Sequence, residues 1–280
     1  MIVFAGLGLV AACSSSSSSD PSPDSGSNTS STSSTSSSSS SGASGTSSTS
    51  SSGGADGGTD AGGDASTEPL AALSDDFQGA ALGNGWTVLR PELVAITVAQ
   101  GNLRVQATAS SLWFNASQGP LVHKTVSGDF KVTSRVRARR STNDTLPPAT
   151  NIHLGGLMVR NPAGPPENHL FVVTGRDDQG ELAVETKTTT NGASVYTNPA
   201  WPSGDAEVRI CRLGATFRLY KREITGGAWT MAATFERADL PATVQVGAAI
   251  YANSQTPDLV VSFDEVTFAP VANEAACTAD

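Results

Sequence analysis

No lysine or arginine occurs before Arg90, and between Ser14 and Glu68 there is no aromatic and no large aliphatic residue. That stretch is almost entirely Ser, Thr, Gly, Ala, Asp and Pro, and it has no apolar surface to offset the entropy of ordering its backbone. A packed domain is excluded there and a solvated tether is expected. Roughly 200 residues follow, enough for one domain with a sizeable core. The missing bases also account for the charge. Of the 26 acids, six (Asp20, Asp24, Asp56, Asp60, Asp64 and Glu68) belong to the tether, so a net charge of −9 becomes about −3 for the rest. A nearly balanced domain creates no global field for a nucleic acid, and none is expected as a partner.

Other absences narrow the chemistry. The three histidines, His123, His153 and His169, show no metal-ligand spacing. There is no Gly-x-Ser-x-Gly elbow and no phosphate-cradling glycine loop. No segment repeats its apolar residues at helical spacing, which argues against a helical domain. The only long apolar run, Ile2 to Val10, is too short to cross a bilayer as a helix and suits the core of a signal peptide.

That run ends in Val10-Ala11-Ala12-Cys13, which resembles the lipobox of bacterial lipoproteins. The resemblance implies a signal peptide over 1–12, an acylated Cys13 opening a tether over 13–68, and a domain over 69–280. No base precedes the apolar run, a departure from the pattern that places the expected start upstream of Met1. An ordinary cleaved signal peptide with an incidental Cys is the alternative. Ser14, rather than Asp, follows the Cys, and by resemblance to lipoprotein sorting this favours the outer membrane or cell surface. Membrane contact is then expected through the lipid anchor only. With Cys13 acylated, Cys211 and Cys277 are left as a pair whose bridge would pin the C-terminal tail. The alternative is a buried Cys211 thiol beside a frayed terminus.

From Ala72 to Phe268 the pattern is strand after strand. In Phe130 to Arg139, the row Phe130, Val132, Ser134, Val136, Ala138 alternates with Lys131, Thr133, Arg135, Arg137, Arg139, as a half-buried antiparallel strand requires. Similar runs span 102–108, 152–160, 170–174, 182–188, 207–213, 216–221, 229–235, 244–252 and 259–268. Turn segments such as Asp177-Asp178-Gln179-Gly180 and Thr225-Gly226-Gly227 separate them. Many short strands without a βαβ rhythm predict an all-β fold, a two-sheet antiparallel sandwich.

An ordered series of short motifs runs through this region. It begins with Ser74-Asp75-Asp76-Phe77, Gly101-Asn102-Leu103, Val126-Ser127-Gly128-Asp129-Phe130 and Gly155-Gly156-Leu157-Met158-Val159-Arg160. It continues with Val208-Arg209-Ile210-Cys211-Arg212-Leu213-Gly214, Gly226-Gly227-Ala228-Trp229 and Phe263-Asp264-Glu265-Val266. In this order the series resembles the concanavalin A-like lectin/glucanase jelly roll over residues 72–268, nearest to DUF1349-type modules and the sandwich modules appended to some β-xylosidases. The resemblance implies a monomer that binds a polysaccharide or other glycan across a concave sheet.

Hydrolysis on this fold would need two carboxylates about 5–5.5 Å apart in a retaining enzyme. The family's Glu-x-Asp-x-Glu strand should fall at Asn168 to Gly175, which carries no acid. Glu181 and Glu185 stand too far apart along a strand, and Asp264 and Glu265, being adjacent, are expected on opposite faces. No catalytic residue is therefore assigned. Ligand-binding candidates are Arg135, Arg137, Arg160 and Glu185, expected to converge on one open face, with Trp201 as an exposed platform. A solvated, charge-balanced surface row is the other reading of the arginines. Trp113 is a further exposed candidate, whereas Trp86 and Trp229 are expected in the core. By the same resemblance, a structural Ca²⁺ would be held by Asp75 or Asp76 with Asp264, and no other cofactor is expected. The function expected is non-catalytic glycan binding at the cell surface. A glycoside hydrolase or lyase with an atypical site, and a structural or adhesive lipoprotein, are the alternatives.

Overall fold

A computed structural model describes residues 69–280. The chain forms β1 (Thr87–Leu89), β2 (Val94–Ala99), β3 (Asn102–Ala107), β4 (Leu121–Ser127), β5 (Phe130–Arg139), β6 (His153–Arg160) and β7 (His169–Arg176). There follow β8 (Leu182–Thr190), β9 (Ala193–Thr197), β10 (Asp205–Leu213), β11 (Thr216–Arg222), β12 (Thr230–Glu236), β13 (Thr243–Ala252), β14 (Val260–Pro270) and a one-turn helix α1 (Ala275–Thr278). Two sheets of seven strands result: sheet I in the order β1-β4-β13-β6-β7-β8-β9 and sheet II in the order β12-β11-β10-β5-β14-β3-β2. Every pairing between named strands is antiparallel. The expected two-sheet antiparallel sandwich is what the chain adopts.

Side-chain alternation explains how the layers close. On β5, Phe130, Val132, Val136 and Ala138 are wholly buried and meet Leu157, Val159, Leu170 and Val172 of sheet I between the layers. Lys131, Arg135, Arg137 and Arg139 take the other face. Asn191 and Gly192 both have positive φ (50° and 75°), the backbone of the tightest hairpin turn, and they join β8 to β9.

Two further apolar clusters lie outside the sandwich. Leu121, Leu154, Met158, Phe171, Val173, Ala249 and Tyr251 point away from the core on sheet I and pack with Trp113. Strands β6 and β7 are thereby buried on both faces, unlike a half-buried strand. On sheet II the outer cluster is Cys211, Tyr220, Val271 and Cys277, with Trp229 against it. Cys211 and Cys277 form the expected disulfide, with Cα atoms 5.6 Å apart. The tail it holds lies across sheet II, where Arg209 Nη1 donates to the carbonyls of Cys277 (2.9 Å) and Ala279 (2.8 Å). Trp229 therefore packs outside the sheet, with the guanidiniums of Arg209 and Arg222 at 4.0 and 4.2 Å from its ring centroid, and not in the core.

Candidate functional site

Strand β8 alternates like its neighbours: Val184 enters the core, while Glu185 and Lys187 project from the outer face of sheet I. There they floor a pocket of about 250 Å³. Tyr251 from β13, Leu112 and Phe114 from the segment before β4, Tyr196 from β9, and Asp178 from the β7–β8 turn form its walls. Phe114 and Tyr196 are 39% and 38% exposed, so both rings are within reach of a ligand. They meet edge to face at 6.3 Å.

Local bonds fix these walls. Asn115 donates its backbone N–H to Ser194 Oγ (2.8 Å) and receives the Ser194 N–H on Oδ1 (3.1 Å), which ties the Phe114 segment to β9. Trp113 anchors the same segment from below, its Nε1 donating to the Pro120 carbonyl at 3.3 Å. A side-chain carbon at Gly119 would collide with that indole, so only glycine permits the packing. The Tyr196 hydroxyl donates to Asp178 Oδ2 (3.0 Å), and this bond raises the phenol's pKa. Asn198 Nδ2 donates to Asp178 Oδ1 at 3.0 Å.

The floor is an ion pair taken out of water. Lys187 Nζ lies 3.1 Å from Glu185 Oε1 and donates to the Trp113 carbonyl at 3.2 Å. Around it stand four rings, with centroids at 4.4 Å (Tyr251), 5.0 Å (Phe171), 5.1 Å (Phe114) and 5.2 Å (Tyr196). Burial pushes the Glu185 carboxyl up and the Lys187 ammonium down, and the attraction between them partly offsets both shifts. Burial also raises the Tyr251 phenol. Glu185 Oε1 is buried with no hydrogen-bond donor in bonding geometry, in spite of the nearby ammonium.

The residues expected to converge do not. Of the four, only Glu185 lines the pocket. Arg160 is on the same sheet but is 4% exposed, its guanidinium held by Glu167 (3.0 Å from Nε) and Gln245 (2.8 Å from Nη1). Arg135 and Arg137 belong to sheet II and face acids there, Glu265 at 3.9 Å and Asp264 in a direct hydrogen bond. The register between β14 and β5 shifts between Phe263 and Val266, a bulge that brings Asp264 and Glu265 to the same arginine-bearing face. The expectation that these two acids point apart is thereby corrected. The charge-balanced reading of the arginine row fits this arrangement.

Trp201 is not a platform: it packs against the core, donates Nε1 to the Asp205 carbonyl (2.8 Å), and has Lys221 Nζ 4.6 Å above its ring. Trp113, the other exposed candidate, is fully buried, and its neighbour Phe114 is the exposed ring. The calcium expectation fits poorly. Asp75 already accepts from the Phe77 N–H (2.9 Å) and Trp86 Nε1 (2.8 Å), Asp76 accepts from the Gln78 N–H (3.2 Å), and Asp264 is engaged by Arg137. No cluster of three His, Cys, Asp or Glu is placed to hold a metal among the described residues. Cys13 lies outside the described residues. Sequence reasoning missed Phe114, Asp178, Lys187, Tyr196 and Tyr251. The one local signal was the Glu185-x-Lys187 spacing, which places opposite charges on one strand face.

No protein-family model matches the chain, and no curated protein matches its sequence. Its fold is similar to that of a functionally unknown protein from Saccharomyces cerevisiae, with a TM-score of 0.55 and 15% identity over 68% of this chain and 98% of that one. It is also similar to a xylan beta-1,4-xylosidase from Bacillus halodurans C-125, with a TM-score of 0.56 and 16% identity over 72% of this chain. The similarity spans 39% of that enzyme's length. A third similar structure is the CBM2 module of the evolved Dit of Lactobacillus casei BL23 phage J-1, at a TM-score of 0.50 and 12% identity over 72% of this chain and 96% of that one. At such identities the likeness is one of fold, the antiparallel sandwich.

Proposed function

We propose that residues 69–280 form a saccharide-binding module that holds its ligand in the Phe114–Tyr196 pocket and does not cleave it. We also propose that Cys13 carries a lipid that anchors the chain to the bacterial cell envelope, at the outer membrane or cell surface, with the serine-rich segment as spacer. The observation that carries the binding reading is the pocket's composition: two reachable aromatic rings above a buried polar floor. A pyranose has a C–H face that packs on a ring and a rim of hydroxyls that need polar partners, and this pocket offers both. The carbohydrate-related names of two fold neighbours, a xylosidase and a CBM2 module, support the same reading.

One observation favours the hydrolase alternative. Glu185 has its carboxyl raised by burial, as a general acid requires, and Asp178 supplies a second carboxylate to the same pocket. Against it, Glu185 is paired with Lys187, and Asp178 is bonded to Tyr196 and Asn198 in the wall. Affinity electrophoresis through polysaccharide gels separates the readings. Wild-type protein is expected to be retarded, and Phe114→Ala or Tyr196→Ala to lose tenfold or more in affinity. Retardation unchanged in both variants would sink the pocket assignment. Release of reducing sugar, abolished by Glu185→Gln, would establish the hydrolase instead.

A further inference from the structure

We infer that this pocket selects uncharged, hydroxyl-bearing saccharides and rejects their uronate counterparts, an inference that rests on the saccharide-binding reading above. The ionisable acids and bases lining the pocket are Asp178, Glu185 and Lys187, two carboxylates against one ammonium. The ammonium is already engaged. Lys187 has a side chain only 2% exposed, pairs with Glu185 at 3.1 Å, donates to the Trp113 carbonyl, and is surrounded by four rings. Asp178 has neutral hydrogen-bond partners only, the Tyr196 hydroxyl and the Asn198 amide, so its charge stays uncompensated at the wall. A ligand carboxylate entering here meets a net negative pocket, and like charges placed together are a strong means of excluding the wrong partner.

The bases that would welcome an acidic sugar lie elsewhere. Arg135 and Arg137 are on sheet II beside Glu265 and Asp264, and Arg160 is held by Glu167.

The experiment compares matched ligands on the full chain solubilised in detergent: cello-oligosaccharides against their C6-oxidised uronates, and manno-oligosaccharides against oligomannuronates. Calorimetric titration of the wild type is expected to show at least tenfold tighter binding of the uncharged member of a pair. Raised salt should narrow that gap, because screening weakens the repulsion. Glu185→Gln keeps the size of the side chain and removes one charge, and it should narrow the gap as well. Asp178→Asn, at a half-buried wall position, makes the same test if the floor variant fails to fold. Equal or tighter binding of the uronate, or a gap unmoved by either folded variant, overturns the inference and leaves saccharide binding standing. Binding of neither series, or binding indifferent to Phe114→Ala and Tyr196→Ala, overturns the saccharide reading and this inference with it.

Discussion

At the scale of single residues, the molecule keeps several charged or titratable groups out of water, and each has a measurable consequence. His169 is wholly buried against Trp113 and Phe171, with its Nε2 3.1 Å from Thr189 Oγ1 and its Nδ1 unpartnered. Burial, reinforced by the positive charges of Lys187, Arg237 and Arg160, lowers its pKa to about 3 from an ordinary 6.5. The unfolded chain therefore takes up a proton below pH 6.5 that the folded protein refuses until about pH 3. Stability from this residue is complete above pH 6.5 and is lost as the pH falls towards 3, at up to about 1.4 kcal/mol per pH unit. His169→Gln should flatten the pH dependence of the urea midpoint between pH 6 and 4 by up to that slope. Parallel curves for wild type and variant would show that the imidazole protonates in the folded state. None of this was legible in the sequence, where His169 shows only that it lacks metal-ligand spacing with the other histidines. Its burial depends on the segment carrying Trp113, which folds back over sheet I from far along the chain.

At the scale of elements, the strand with the sharpest contrast between its two faces was the most legible. Strand β5 has one apolar and one charged row, and its bounds, Phe130 to Arg139, were read directly from the alternation. Strand β4, Leu121–Ser127, escaped notice because its apolar run is broken by His123 and Lys124, whereas β6 and β7, buried on both faces as well, keep longer apolar runs. Strand β1 is three residues long, and β9 is mostly exposed, so neither offers a core-facing row to detect. Strand β2 escaped although its burial alternates, because Ala95 and Ala99 stand where polar residues would have marked the outer row. The tail was easier, because with Cys13 read as the acylated residue, Cys211 and Cys277 were the cysteines left to pair. The Cys211–Cys277 bridge closes a 66-residue loop, which in the chain-entropy model contributes about 4 kcal/mol. Cys277→Ser should therefore lower the urea midpoint markedly, and reductant should have the same effect on the wild type but none on the variant. The contacts of Arg209 with the tail carbonyls would survive the loss of the bridge and limit its cost. An unchanged midpoint would mean that the bridge contributes nothing to stability.

At the scale of the whole molecule, the two outer faces divide the work. Sheet II carries the arginine row, with Asp264, Glu265 and Asp205 set against it, and lies beneath the bridged tail. Sheet I carries the pocket. The family resemblance implied a saccharide-facing surface, and the sequence reading set it on the arginine strand because a row of like charges is visible in one dimension. Its neutralisation by a bulge on β14, and the assembly of a pocket from widely separated segments, are not. The proposed address is the reverse case, since it rests on contiguous residues. Val10-Ala11-Ala12 offers small side chains ahead of Cys13, whose thiol is the expected acceptor of the lipid, and a polar serine tract follows at once. A single acyl chain gives only marginal, reversible membrane binding, whereas several chains on one cysteine hold firmly. No helix among the described residues is long and apolar enough to cross a membrane, and the anchoring proposal rests on Cys13. The full chain, expressed in a bacterium with its leader, should partition into the detergent phase on Triton X-114 separation. Cys13→Ser should move to the aqueous phase and be recovered in the soluble export fraction, with its saccharide retardation unchanged because the pocket is built only from residues of the domain. If the variant still sediments with membranes, the attachment lies elsewhere and the lipid-anchor proposal fails.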